Sequence, residues 1–153
     1  MKNTLLLSFI FLLATTLSAQ DKKADIEAVK AACYDYIDTF YKADTSLAHR
    51  SVHKSLRKTG FYMNKERGEY SKQLEMPFDK LIALAEKWNK DGSRADESSP
   101  REVEIFEVSD KTAIAKVTAV WGIDYMNLMK EDGKWMIVNV LWQSPPKYSA
   151  KDY

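Results

Sequence analysis

An α+β fold, with helices gathered ahead of a meander of antiparallel strands, follows from three features of the sequence. Apolar residues in the first half recur at three- and four-residue spacing. Those after residue 100 alternate or run continuously, and an Asp132-Gly133 pair joins two long β-rich segments. Helices in one block and strands in another pack as a helical layer on one face of a sheet, not as alternating βαβ units.

The chain opens with MKNTLLLSFIFLLATTLSAQ: Lys2, an apolar run from Leu5 to Ala14, then small residues before Asp21. This is the order of a secretory signal peptide, with cleavage expected after Ala19 or Gln20. The apolar run is shorter than the roughly 20 residues of a membrane span, and no cysteine follows it to carry a lipid. Residues 1–20 are therefore read as a signal peptide, 21–145 as one domain and 146–153 as a frayed tail. The protein is expected to be exported, periplasmic or secreted from a bacterium, with no membrane attachment after cleavage.

Residues 25–43 predict an amphipathic helix, with Ile26, Val29, Cys33, Tyr36, Ile37, Phe40 and Tyr41 on one stripe. Asp44-Thr45-Ser46 breaks it and supplies N-cap residues for a second, shorter helix over 46–57. The stretch TGFYMNKERGEYSKQLE has no clean period and reads as a short strand with loops. Pro77 starts a third helix, whose buried face is Phe78, Leu81, Ile82, Ala85 and Trp88, and Gly92 opens the polar loop that ends it.

The remainder is β. REVEIFEVS alternates, with Val103 and Ile105 on one face and Glu107 at its edge. TAIAKVTAVWGIDYMNLMK is a long β-forming run interrupted by Gly122, and WMIVNVLWQ returns before Pro145-Pro146. A two-residue turn at Asp132-Gly133 would pair Asp124 with Leu141, Met126 with Asn139, Leu128 with Ile137 and Lys130 with Trp135 on one face. The other face would carry Ile123/Trp142, Tyr125/Val140, Asn127/Val138 and Met129/Met136. Both faces are mainly apolar, whereas an antiparallel sheet normally leaves one to water. Helices cover one. A homodimer through the sheet is the expected cover for the other, and a sheet curled on itself is the alternative.

The charge is balanced: 23 Lys and Arg against 22 Asp and Glu, of which the leader contributes only Lys2. A formally neutral domain lacks the basic stripe that nucleic acid requires, so no nucleic-acid partner is expected. The single cysteine, Cys33, excludes an internal disulfide and falls on the apolar stripe of the first helix, which predicts a buried thiol.

The words YIDTFYKADTSLAHRSVHKSLRKTGFY, VEIFEVSDKTAIAKV and DYMNLMKEDGKWMIVNVLW, in this order over residues 25–143, carry a resemblance. The chain resembles nuclear-transport-factor-2-like (cystatin-like) proteins, in particular the small bacterial branch called putative lumazine-binding proteins. The resemblance implies a cone-shaped roll, in which three helices close a cavity against a curved antiparallel sheet, often in a dimer. Relatives on this fold include ketosteroid isomerases, polyketide cyclases, dehydratases and plain binding modules, so the fold does not choose the function. A His-Pro pair usually follows the second helix in that branch. The matching pair here is His53-Lys54, and without the proline the helix is free to run on by a turn.

The candidate chemistry is sparse. His49 and His53, at i and i+4, would share a helix face with Val52 and Leu56. HRSVH lacks the glutamate of a metalloprotease helix and no second ligand cluster follows, so neither metal nor cofactor is expected. His53 is read as a ligand-orienting or basic residue, or as a polar residue on a cavity wall. Asp124 lies inside an apolar strand. It is either a general base in an apolar pocket or a buried carboxyl satisfied by Asn139 or backbone. His49, Tyr125, Asn139 and Trp142 complete the candidate ligand contacts, and Trp121, Trp135 and Trp142 could stack a flat ring. The leading expectation is a small hydrophobic or aromatic ligand with no reaction indicated. An isomerase, cyclase or dehydratase using Asp124 or His53 is the alternative, and a protein-interaction module is the third.

Overall fold

The computed structural model describes residues 2–146, with side chains from residue 21 onward. The expected tail beyond Pro146 lies outside them. Helix α1 (Lys2–Tyr41) runs unbroken through the predicted leader. Among the described residues no helix is long and apolar enough to cross a membrane. The predicted stripe becomes the buried side of α1: Val29, Cys33, Tyr36, Ile37 and Phe40 are all at most 4% exposed. Burial pushes the Cys33 thiol up to about 12.

Helix α2 (Thr45–Ser51) starts where predicted, with Asp44 accepting from the Ser46 backbone N–H at 3.0 Å. It ends six residues early. Strand β1 (Val52–Phe61) begins at Val52, so the expected helix over 46–57, and any further turn past His53, does not form. The reason is visible in the side chains. From Leu56 the residues alternate, with Leu56, Lys58 and Gly60 buried and Arg57 and Phe61 exposed, and β1 gains a partner in the final strand. The irregular stretch 62–75 holds three two-residue strands, β2 (Met63–Asn64), β3 (Glu69–Tyr70) and β4 (Leu74–Glu75). Helix α3 (Phe78–Trp88) follows with Pro77 as its N-cap, and buries Phe78, Leu81 and Ala85.

The long strands are β5 (Arg101–Val108), β6 (Thr112–Ala119), β7 (Gly122–Glu131) and β8 (Lys134–Gln143). The apolar run 112–130 is two strands joined by a tight turn at Val120-Trp121, with Ala119 opposite Gly122. The sheet order is β4-β1-β8-β7-β6-β5, antiparallel throughout except that β1 lies parallel to β8. Asp132 and Gly133 both take positive φ, 48° and 78°, as a two-residue hairpin of right-handed strand twist requires.

The predicted β7–β8 pairs hold near that turn: Lys130 with Trp135, Met129 with Met136 and Leu128 with Ile137. Beyond them Val138 is an extra residue. Asn127 then meets Asn139, Met126 meets Val140, Tyr125 meets Leu141 and Asp124 meets Trp142. This bulge corrects five predicted pairs, those of residues 123 to 127, and bends β8. It puts Val140 and Trp142 on the helix side with Asp124 and Met126, and sends Asn139 and Leu141 to the outer face. That outer face is mixed: Asn139 donates to Asn127 at 3.0 Å, beside exposed Tyr125, Leu141 and Ile114.

Candidate functional site

The site lies between the helices and the inner face of the sheet, at the end where β6 turns into β7. Tyr36 from α1, Lys58 from β1 and Asp124 from β7 meet there, at 0%, 6% and 0% exposure. Tyr36 donates its hydroxyl hydrogen to Asp124 Oδ1 at 3.1 Å. Lys58 Nζ donates to the same oxygen at 3.1 Å and to the Tyr36 oxygen by a short contact. Trp121 Nε1 donates to Asp124 Oδ2 at 2.5 Å. Burial, the adjacent Asp124 carboxylate and the hydrogen bond to it push the Tyr36 phenol well above its ordinary 10.0, so it stays a donor.

The Lys58 ammonium is also packed among rings. It stands 5.1 Å from the centroid of Tyr36, 5.3 Å from Trp142 and 5.8 Å from Phe40. Gly60, two residues on, gives Trp142 its place: a Cβ at Gly60 would collide with the Trp142 carbonyl and indole. The Trp142 N–H is buried and lacks a hydrogen-bond partner among the described residues.

In front of this network is a cavity of about 550 Å3. Its walls are Phe40, Met76, Leu84, Trp88, Trp121 and Trp142; Lys58 reaches it, and Tyr62, Lys65 and Arg94 also line it. The volume is within the range of small-molecule sites. The rings brace one another. Trp121 stands 5.1 Å from Phe40 and 5.4 Å from Trp88, nearly perpendicular to the latter, and Tyr41 stacks on Trp88 at 6.3 Å. Tyr41 fixes the turn as well, accepting from the Val120 N–H at 2.9 Å and donating to the Pro100 carbonyl at 2.6 Å.

Buried Asn89 orders the loop after α3. Its amide donates to the carbonyls of Tyr41 and Ala95, and its oxygen accepts from the N–H groups of Arg94 and Ala95. All of its hydrogen-bonding capacity is used, and Arg94 is set over Trp88 with its guanidinium carbon 5.7 Å from the ring.

Of the residues singled out in the sequence, the structure brings Asp124, Trp121 and Trp142 to this site. It places the others elsewhere. His53, on β1, contacts Ser55 through Nδ1 at 2.6 Å and faces Glu131 at 3.3 Å, near the far end of β7. His49 stays on α2 with its ring 5.3 Å from Phe78. Because β1 starts at Val52, the two histidines share no helix face. Tyr125 and Asn139 lie on the outer face, so Asn139 is not the partner of Asp124. Among the described residues no three His, Cys, Asp or Glu side chains gather as a metal site.

Sequence reading missed Lys58, Met76, Leu84, Arg94 and the tie from Trp121 to Asp124. A signal existed for Lys58 alone: the alternation Leu56-x-Lys58-x-Gly60 puts a lysine on the buried side once the segment is taken as a strand.

Comparison with known proteins agrees with this architecture. An NTF2-like protein of unknown function from Silicibacter pomeroyi superposes with a TM-score of 0.58 at 20% identity, covering 80% of this chain and 98% of its own. One from Methylobacillus flagellatus gives 0.57 at 20% identity, covering 80% and 94%. A domain of unknown function with a cystatin-like fold from Nostoc punctiforme gives 0.53 at 15% identity, covering 84% and 81%. At these identities the likeness concerns the fold. A search of curated proteins finds no significant match. One family accounts for residues 24–143, from α1 to the last residue of β8, and the chain belongs to it: the family described as "Putative lumazine-binding".

Proposed function

We propose that this protein binds a small, flat, largely apolar molecule in the cavity between α1, α3 and the sheet, without transforming it. The observation that carries the reading is the aromatic cavity of about 550 Å3 built beside a saturated polar network. Both Asp124 oxygens are already accepting, from Tyr36, Lys58 and Trp121. Asp124 is also fully buried and is not part of the cavity wall, so it is out of reach of a bound carbon acid. Its role here is to hold Lys58 and Trp121 in place, so that the walls are rigid before the ligand arrives. The same proposal takes residues 1–20 as an export signal, which sequencing the N-terminus of the exported protein checks.

The test is a thermal-shift screen with pteridines, flavins, steroids and polyketide-like aromatics. Saturation at 100-fold over Kd stabilises by about 2.7 kcal/mol. A shift retained in His53→Ala and lost in Leu84→Trp, which fills the cavity, is the expected result. A shift unaffected by Leu84→Trp places binding elsewhere and defeats the proposal.

A further inference from the structure

The charged groups that line the cavity are of one sign. Lys58, Lys65 and Arg94 line it, and among the described residues no Asp or Glu does. Asp124 is 0% exposed and lies behind the wall, with its oxygens committed. The cations are not equivalent. Lys58 is paired with Asp124 at 3.1 Å, so that pair presents no net charge. Arg94 and Lys65 form no ion pair among the described residues.

Neither acidic residue flanking Arg94 closes an ion pair with it, although the Asp91 carboxylate is near enough to feel its charge. Asp91 accepts from the Ser93 N–H and hydroxyl at 3.1 and 2.8 Å. Asp96 accepts from the Ser98 N–H and hydroxyl at 2.9 and 2.7 Å, and from the Ser99 hydroxyl at 3.3 Å. Arg94 itself is held by the Asn89 scaffold and lies over Trp88, one of the ring walls. A planar guanidinium fixed above an aromatic wall, with an ammonium on the same opening, is suited to a carboxylate.

From this we infer that the ligand is an organic acid: a flat apolar body seated among Phe40, Trp88, Trp121 and Trp142, with its anionic group at the opening against Arg94 and Lys65. The inference rests on the binding role proposed for the cavity and adds the charge of the occupant. The orientation follows from the distribution of charge. The interior holds a neutralised pair and rings, which favour an apolar body, and the rim carries two cations, Arg94 and Lys65, that close no ion pair among the described residues.

Three probes of one shape separate the two ideas: 2-naphthoate, 2-naphthamide and 2-naphthylmethylammonium, titrated into the protein with tryptophan fluorescence as readout. The acid is expected to bind about tenfold more tightly than the amide, and the cation most weakly, since each rim pair contributes a few-fold at an exposed site. In the combined Arg94→Gln, Lys65→Gln variant the acid should fall to the affinity that the amide has for the same variant. The acid's advantage should also shrink as salt is raised. Equal binding of acid and amide, or a preference that survives the double variant, overturns the inference and leaves cavity binding intact. Failure of all three probes, with no shift from any compound of the wider screen, removes both.

Discussion

Removing either end of the Lys58–Asp124 pair leaves a buried charge without its partner, because both side chains are at most 5% exposed. Lys58→Met and Asp124→Asn should each cost about 3–5 kcal/mol in urea unfolding. Lys58→Met combined with Asp124→Asn should cost clearly less than the two single changes added together. Additive losses would mean that the pair is not coupled. The two residues were unequally legible. Asp124 stands out as a carboxylate in an apolar strand. Lys58 sits in HKSLRK, where a run of cations reads as a solvated face, and only the strand period gives it an inside. The histidines drew notice because they are rare, but a four-residue spacing has meaning only if the helix reaches the second of them.

Between elements, the first helix is tied to the edge strand β5 by a forked ion pair. Arg101 donates to both Asp38 oxygens at 2.8 Å, and Lys42 adds a third bond at 2.9 Å. Burial alone would raise the Asp38 carboxyl, but the bonds from Arg101 and Lys42 outweigh it and hold it below 3.8. Hydrogen bonds from Lys130 and Trp135 lower Asp25 in the same way. A group whose folded pKa is depressed stabilises above its unfolded pKa, and that contribution is lost as pH falls through the folded one. Stability should therefore hold from neutrality to about pH 4 and fall below it. Asp38→Asn should lose about 1–2 kcal/mol at pH 7 and show a shallower acid decline, measured by urea midpoints across pH. An unchanged acid profile would assign the decline to other carboxylates. Helices α1 and α3 were legible because their apolar periods are long. The boundary of α2 was not, since Val52 fits either period and the partner that decides it, β8, is about 85 residues away.

For the whole molecule, α+β architecture was readable from the order of periodic segments, whereas the cavity was not. It depends on how far the sheet curves, and the bulge that bends β8 leaves no mark in the word IVNVLW. The outer face of the sheet remains partly apolar, with Leu141 48%, Tyr125 46% and Ile114 43% exposed. We propose that a second copy of the chain covers it. Leu141→Glu should convert a dimer to a monomer in light scattering while leaving ligand binding in place. A wild-type monomer at micromolar concentration would end that proposal. The Val138 bulge also bears on how such a protein can be altered. Strand deletions usually exchange inside for outside, but removing Val138 would leave Leu128 opposite Ile137, Asn127 opposite Asn139 and Met126 opposite Val140, with every side chain on its present face. Only the bend would go. The width of the pocket is therefore adjustable by counting residues instead of changing them, and a descendant one residue shorter could accept a differently shaped guest with its lining intact.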